Sequence, residues 1–177
     1  MVLSKKNALI CEQKITDMYT VNDIADLIIT KIKCDDDNAS LINLKLQKLQ
    51  YYVQAWSYGI NGKPFFDGEF EAWVHGPVNR EIFNRFNPQK TLYSEIELSD
   101  RQNTDVKLKS EDDEEFFDFI MENYAKFSGV QLENLSHQEQ PWISARGNKD
   151  RYEKCDTVIS AKSMTDYYGK KWQEINR

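Results

Sequence analysis

Five apolar side chains, Leu46, Leu49, Val53, Trp56 and Ile60, recur at offsets 0, 3, 7, 10 and 14. A period near 3.5 puts all five on one helix face, and that face must be buried. Ser40 opens the segment, Leu41 and Ile42 can pack at its entry, and the spacing predicts a helix over about 41–58. Gly59 reads as its C-terminal cap, with Ile60 folding back behind it. Asn61-Gly62-Lys63-Pro64 then makes a turn. With only 7 Gly and 4 Pro in 177 residues, few points force such helices to stop. That favours long helices over a turn-rich β-sandwich.

The rest of the chain follows the same logic. Thr20-Val21-Asn22-Asp23 has the form of a capping box, and Val21, Ile24, Ala25, Ile28 and Ile32 behind it predict a helix over about 21–33. Asp35, Asp36 and Asp37 oppose the dipole at its C-terminal end and mark a solvated loop. Phe70, Ala72 and Val74 alternate with polar residues and Trp73, which predicts a short β-element near 69–74. Gly76 reads as an N-cap and Pro77 as the first residue of a helix running to about 86, where Asn87-Pro88 stops it. Residues 88–109 are polar and read as variable loop. Ser110 to Asp113 is a second capping box, before Phe116, Phe117, Ile120, Met121 and Tyr124. Ser128 to Gln131 caps a short helix, Pro141 starts another, and Ser163 to Asp166 is a further capping box before Met164, Tyr167, Tyr168, Trp172 and Ile175. The expected fold is mainly α: one compact domain of six or seven helices.

Composition narrows function more than fold. The net charge of −6 is uneven. Residues 95–122 hold 11 Asp/Glu against 3 Lys/Arg, and residues 140–177 hold 8 Lys/Arg against 5 Asp/Glu. An acidic chain repels the phosphate backbone, so nucleic acid is not an expected partner. No apolar run approaches the ~18 residues of a membrane span. Behind Lys5-Lys6, only Ala8-Leu9-Ile10-Cys11 precedes Glu12, too short for a signal-peptide core. The three cysteines, Cys11, Cys34 and Cys155, are scattered and form no C-x-x-C, which suits a reducing cytoplasm.

Catalytic chemistry has little to work with. There is no G-x-S-x-G and no phosphate-binding G-x-x-x-x-G-K-[ST]. No cysteine has a paired base beside it. Glu111 and Glu115 read as a solvated helix start, and the basic run Arg146, Lys149, Arg151 and Lys154 as a solvated face. A metal-dependent hydrolase would need His75 and His137 to converge with carboxylates such as Glu71 or Glu139, without any H-x-x-x-H spacing. Two structural histidines are the favoured reading, with no metal and no cofactor expected.

Three blocks carry a resemblance. Leu44-Lys45-Leu46-Gln47-Lys48-Leu49-Gln50-Tyr51-Tyr52-Val53-Gln54-Ala55-Trp56 is similar to L-x-L-Q-K-L-L-Y-Y-A-Q-x-W. Gly62-Lys63-Pro64-Phe65-Phe66, followed by Glu71-Ala72-Trp73-Val74-His75-Gly76-Pro77-Val78, is similar to G-K-P-L-F with E-A-W-x-x-G-P-V. Leu135-Ser136-His137-Gln138-Glu139-Gln140-Pro141-Trp142 with Ala145-Arg146 is similar to L-T-H-x-E-x-P-W-x-x-A-R. Together they resemble the Panacea domain of SocA-like and phage-associated GepA-like proteins. Departures are small: Gln50, Val53 and Ser136 stand where Leu, Ala and Thr are usual, and Gln50 is expected to expose a polar group.

The resemblance implies a bacterial, phage or mobile-element protein that is not an enzyme. The blocks cover about 40–146 and the final helix also fits, so the domain is expected over 19–177, while residues 1–18, polar and aperiodic, read as an N-terminal arm. The resemblance implies an antitoxin that neutralises a cognate protein toxin by direct contact, or, in the SocA-like branch, an adaptor that delivers its toxin to the ClpXP protease. The motif residues would then be scaffold. A partner surface needs aromatic or Arg anchors, so Arg146, Arg151, Tyr152, Tyr167, Tyr168 and Trp172 are the candidates. For the three aromatics of the last helix, core packing is the competing reading. The less patterned stretches 1–20, 88–110 and 147–177 are where a toxin-specific surface is expected.

Overall fold

The computed structural model describes residues 18–35 and 39–177. All of the expected arm except Met18 lies outside them. The described residues form seven α-helices and two two-stranded sheets, joined by turns and irregular segments, so the fold is mainly α. None of these helices is long and apolar enough to cross a membrane.

Strand β1 (Tyr19–Thr20) leads into helix α1 (Val21–Asp35). The Thr20 capping box is complete. Asp23 Oδ2 accepts from Thr20 N at 2.9 Å, and Thr20 Oγ1 accepts from Asp23 N at 3.1 Å. Val21, Ile24, Ala25, Ile28 and Ile29 of α1 are buried. Helix α2 (Asn43–Asn61) follows and is the axis of the molecule. The apolar stripe faces the core as expected, but burial does not stop at the stripe. Every residue from Asn43 to Ser57 is buried, so neighbours enclose this helix on all sides.

Strand β2 (Phe66–Asp67) pairs in parallel with β1, Tyr19 opposite Phe66. Strands β3 (Glu71–Trp73) and β4 (Gly76–Val78) form an antiparallel hairpin with Ala72 opposite Pro77. This confirms the β-element and corrects its sequel. Gly76 and Pro77 do not start a helix: they are strand. The cap of helix α3 (Arg80–Phe86) is Asn79, whose side chain accepts from Ile82 N at 3.0 Å. Gly76 takes φ +86 in the hairpin, a conformation open to glycine at no steric cost.

Residues 87–109 are irregular apart from a 3-10 turn at Leu98–Asp100, yet they are tied down. Asp26, fully buried in α1, accepts from Gln102 N and Asn103 N at 3.0 and 2.8 Å and pairs with Arg85. Helices α4 (Glu111–Tyr124) and α5 (Gly129–Ser136) start where Ser110 and Ser128 predict. Helix α6 spans Gln140–Arg146, with Pro141 in its first turn. Helix α7 spans Ala161–Ile175 and is capped by Ser160, whose hydroxyl accepts from Ser163 N at 3.1 Å. Ser163 is therefore inside the first turn and not the cap.

The most extensive neighbour of α2 is α7, and their crossing corrects the reading of Gly59. Helix α2 runs past Gly59 and ends at Gly62, which takes φ +65 as its cap. Gly59 lies where the two backbones meet. A Cβ there would come within 2.5 Å of Tyr168 Cβ, 2.6 Å of Tyr168 C and 2.8 Å of Gly169 N. Two of those atoms are backbone and cannot rotate away. Overpacking costs about 1–3 kcal/mol, and the better helix propensity of alanine returns at most about 1. Gly59→Ala is expected to lower unfolding stability by about 2 kcal/mol, read from the urea midpoint. An unchanged midpoint would mean the helices do not approach this closely.

Candidate functional site

A helix buried on all sides cannot hide its polar side chains in solvent, so each must find a partner. In α2 most of them find backbone; Tyr52 and Trp56 bond to the side chains of Glu139 and Tyr124, and Asn43 Oδ1 and Gln50 Oε1 are buried without a hydrogen-bond partner among the described residues. Gln47 binds Asn79 in both directions, Nε2 donating to its carbonyl at 3.1 Å and Oε1 accepting from its N–H at 2.8 Å. Gln54 Nε2 donates to Phe66 O and Gly68 O at 2.9 and 3.0 Å, while its Oε1 accepts from Phe65 N at 2.9 Å. Gln50 is buried too, donating to Val21 O at 2.8 Å; it does not expose the polar group expected of it. These amides pin the β-segments and the start of α1 to the central helix.

Lys48 is the charged member of this set. Its Nζ donates to Pro77 O at 3.0 Å with the residue fully buried. Burial pulls its ammonium down to about 7, against the pull of Glu133. The hairpin rests directly on it: a Cβ at Gly76 would meet Lys48 Cε at 2.7 Å and Ser136 Oγ at 2.8 Å. Glu133, on α5, takes His75 Nδ1 at 3.1 Å. His137 is half-buried and packs on Trp142 with ring centroids 4.2 Å apart and planes tilted by 30°. Burial pushes the His137 imidazole below the ordinary histidine value; Glu133 opposes that, while Lys48 and Arg151 add to it.

Glu139 is the second polar centre, 1% exposed. Its Oε2 accepts from the Tyr168 hydroxyl at 2.7 Å and the Tyr52 hydroxyl at 3.1 Å, and its Oε1 accepts from Lys171 Nζ at 3.0 Å. Burial raises both phenols far above the ordinary tyrosine value, so they stay donors. Burial alone would lower Lys171, but Glu139 outweighs it and holds the ammonium up. One turn on, Trp142 Nε1 donates to Trp73 O at 3.0 Å, and Arg146 donates to Ala72 O at 3.0 Å, Asp150 O at 2.6 Å and Glu153 O at 2.8 Å. The third motif block thus clamps the hairpin from the far side.

The structure brings together most of the motif residues: Gln47, Lys48 and Tyr52 from α2, Trp73 and Gly76 to Val78 from the hairpin, and His137, Glu139, Trp142 and Arg146 from the third block. Leu46, Leu49, Tyr51 and Trp56 pack in the core, and Pro141 is buried in the first turn of α6. The partner candidates divide. Tyr168 is 0% exposed and Arg146 is buried, so neither offers its side chain to a partner. Tyr152 is 80% exposed beside the Arg151 guanidinium, and Tyr167 and Trp172 are half-buried.

The carboxylates that a metal site would need are engaged elsewhere. Glu71 accepts from Arg80 Nε and Trp73 Nε1 at 2.8 and 2.7 Å, and Glu139 holds its two tyrosines and Lys171. Among the described residues no group of three or more His, Cys, Asp or Glu side chains is placed to hold a metal ion. Sequence reasoning missed the role of Asn79 and Lys171. Asn79 had a local signal, an N-cap residue after Gly-Pro-Val, but the bonds of Lys171 reach 32 residues back along the chain.

A family model described as antitoxin SocA-like, Panacea domain, matches residues 46–143, more than half of the chain. Antitoxin SocA of Caulobacter vibrioides is 34% identical over 70 residues, 40% of this chain and 36% of that protein. The match therefore spans little more than a third of the relative's own length. No solved structure matches.

Proposed function

The chain belongs to the SocA-like antitoxin family defined by the Panacea domain, and from that premise we propose that it neutralises a protein toxin by binding it directly. One observation carries the reading. The polar motif side chains are spent on internal bonds: Lys48 on Pro77 O, Glu139 on two tyrosines and a lysine, Arg146 on four backbone carbonyls. Groups held so firmly from inside support the surface that a partner would meet. The role is non-catalytic, and the free thiols Cys34 and Cys155 fit a reducing cytoplasm.

The anchors proposed for the partner are the accessible aromatic and Arg candidates: Tyr152 with Arg151, Tyr167 and Trp172. The test is co-expression with the product of the neighbouring reading frame. Growth is expected to return and the two proteins to copurify. Alanine at Tyr152 or Trp172 is expected to weaken the complex at least tenfold if that residue is an anchor, with the melting temperature close to wild type at the more exposed Tyr152. Growth that returns with no complex, as the toxin transcript falls, would sink direct neutralisation. Rescue lost only in cells without ClpXP would replace it with delivery to that protease.

A further inference from the structure

An open groove of about 1390 Å³ lies where α4 passes the C-terminal end of α2 and the last helix. Its floor is apolar: Ile60, Pro64, Phe65, Phe116, Phe119 and Trp172. The aromatics pack in two sets, Phe65 on Phe116 at 5.0 Å, and Phe119 against Trp56 and Trp172, each at 5.9 Å. Only Phe65 of the six floor residues is fully covered; the others are half-buried. The volume exceeds the ~300–1,000 Å³ of small-molecule pockets. A trough of that size walled by helices suits a protein segment, laid in as a helix.

The rim decides what segment. Helix α4 carries Glu111, Asp112, Asp113, Glu114, Glu115, Asp118 and Glu122 and no basic residue. Asp112, Glu115, Phe116 and Phe119 stand at offsets 0, 3, 4 and 7, so carboxylates and aromatics share one face of the helix. Lys31 pairs with Asp118, and Tyr19 donates to Asp113. Glu111, Asp112, Glu114 and Glu115 are exposed and make no ion pair among the described residues. Lys63 and Lys109 also line the groove, against three lining carboxylates, Asp112, Asp113 and Glu115, with Glu111 and Glu114 exposed on the adjoining turn. A surface with this potential attracts cations and rejects anions.

The geometry points to this groove as the docking site for a cationic amphipathic helix of a protein partner, its apolar face on Phe116, Phe119 and Trp172 and its Lys/Arg residues against Asp112 and Glu115. Resting on the antitoxin reading above, this helix belongs to the toxin. The groove extends that reading to α4, which carries none of the anchors named above. It also gives the acidic stretch of α4 a role at the border of this apolar trough.

The test uses the full chain and two synthetic 18-residue helical peptides, one of Leu and Lys and one of Leu and Glu in the same amphipathic pattern. The Leu/Lys peptide is expected to bind, more weakly as salt rises, and to perturb the Trp172 indole resonance. The Leu/Glu peptide is expected not to bind. Asp112→Lys with Glu115→Lys should weaken binding at least tenfold, while Asp105→Lys with Asp156→Lys, exposed residues outside the groove with the same net-charge change, should not. Equal loss in both double variants, or equal binding of both peptides, would overturn the assignment. So would a full chain that binds neither peptide, because residues 1–17 or a second copy would then fill the trough; sedimentation separates those two. Peptide binding does not depend on any toxin. A chain that binds the Leu/Lys peptide in this way but rescues no growth would sink the antitoxin reading and leave the groove assigned.

Discussion

Glu139→Ala is expected to lower the free energy of unfolding by about 5 kcal/mol, because each buried hydroxyl left without a partner costs roughly 1–3 kcal/mol and the cavity adds to that. The two hydroxyls are those of Tyr52 and Tyr168, both 0% exposed, and both bond to Glu139 Oε2. Lys171 contributes less, since it is partly solvated and can turn outward. A loss of this size is a large share of the ~5–15 kcal/mol total typical of a domain, so the variant should melt near growth temperature. Glu139→Gln keeps a carbonyl acceptor in the same place and is expected to lose only about 1–2 kcal/mol. Urea unfolding followed by tryptophan fluorescence reads both. A loss under about 1 kcal/mol in the alanine variant would mean the tyrosines rearrange to other partners.

The second large effect is a pH dependence that belongs to Lys48. In the unfolded chain this lysine titrates near its ordinary value of 10.5; in the folded chain burial has brought it to about 7. Between those values the unfolded state binds the extra proton, so wild-type stability rises with pH across that window. Below about 7 both states are protonated and the cost of the buried charge is constant. At about 1.4 kcal/mol per unit, the rise from pH 7 to pH 10 amounts to about 3–4 kcal/mol. Lys48→Met keeps the length of the stem and removes the titration. Stability should therefore be measured for both chains at each pH and the difference taken, which cancels the other groups. Wild type should gain on Lys48→Met across the whole window. Parallel profiles would show that the Lys48 ammonium stays charged in the fold.

Both predictions concern side chains whose identity was plain in the sequence and whose position was not. Lys48 stands in a motif helix, and nothing in its neighbours along the chain says that a hairpin 29 residues away will cover it. From sequence, Tyr168 is a candidate anchor with core packing as the favoured alternative, and helical spacing alone does not say how closely another helix covers it. Its burial follows from Gly59, which lets α7 approach α2 within backbone contact. The same glycine misled the reading of the helix end. A glycine followed by a hydrophobic residue is a common C-terminal cap, and only the crossing helix shows that it serves close packing instead. Gly76-Pro77 likewise has the local form of a helix start, and the pairing of β3 with β4 overrides it.

What the sequence determined by itself was carried by neighbours within about four residues. The apolar stripe through Leu46, Leu49, Val53 and Trp56 identified the central helix. The caps at Thr20, Ser110 and Ser128 set three helix starts to within a residue, because a cap bonds to a backbone N–H two or three positions on. The three motif blocks were enough to point to the family. What only the tertiary structure decided is which polar groups are buried and with whom. Gln47 reaches Asn79 across 32 residues, Arg146 reaches Ala72 across 74 and Tyr52 reaches Glu139 across 87. Such bonds have no sequence period, since loops of any length can close them. They exist because a half-polar helix enclosed on every side must satisfy its donors from whichever backbone and side chains pack against it.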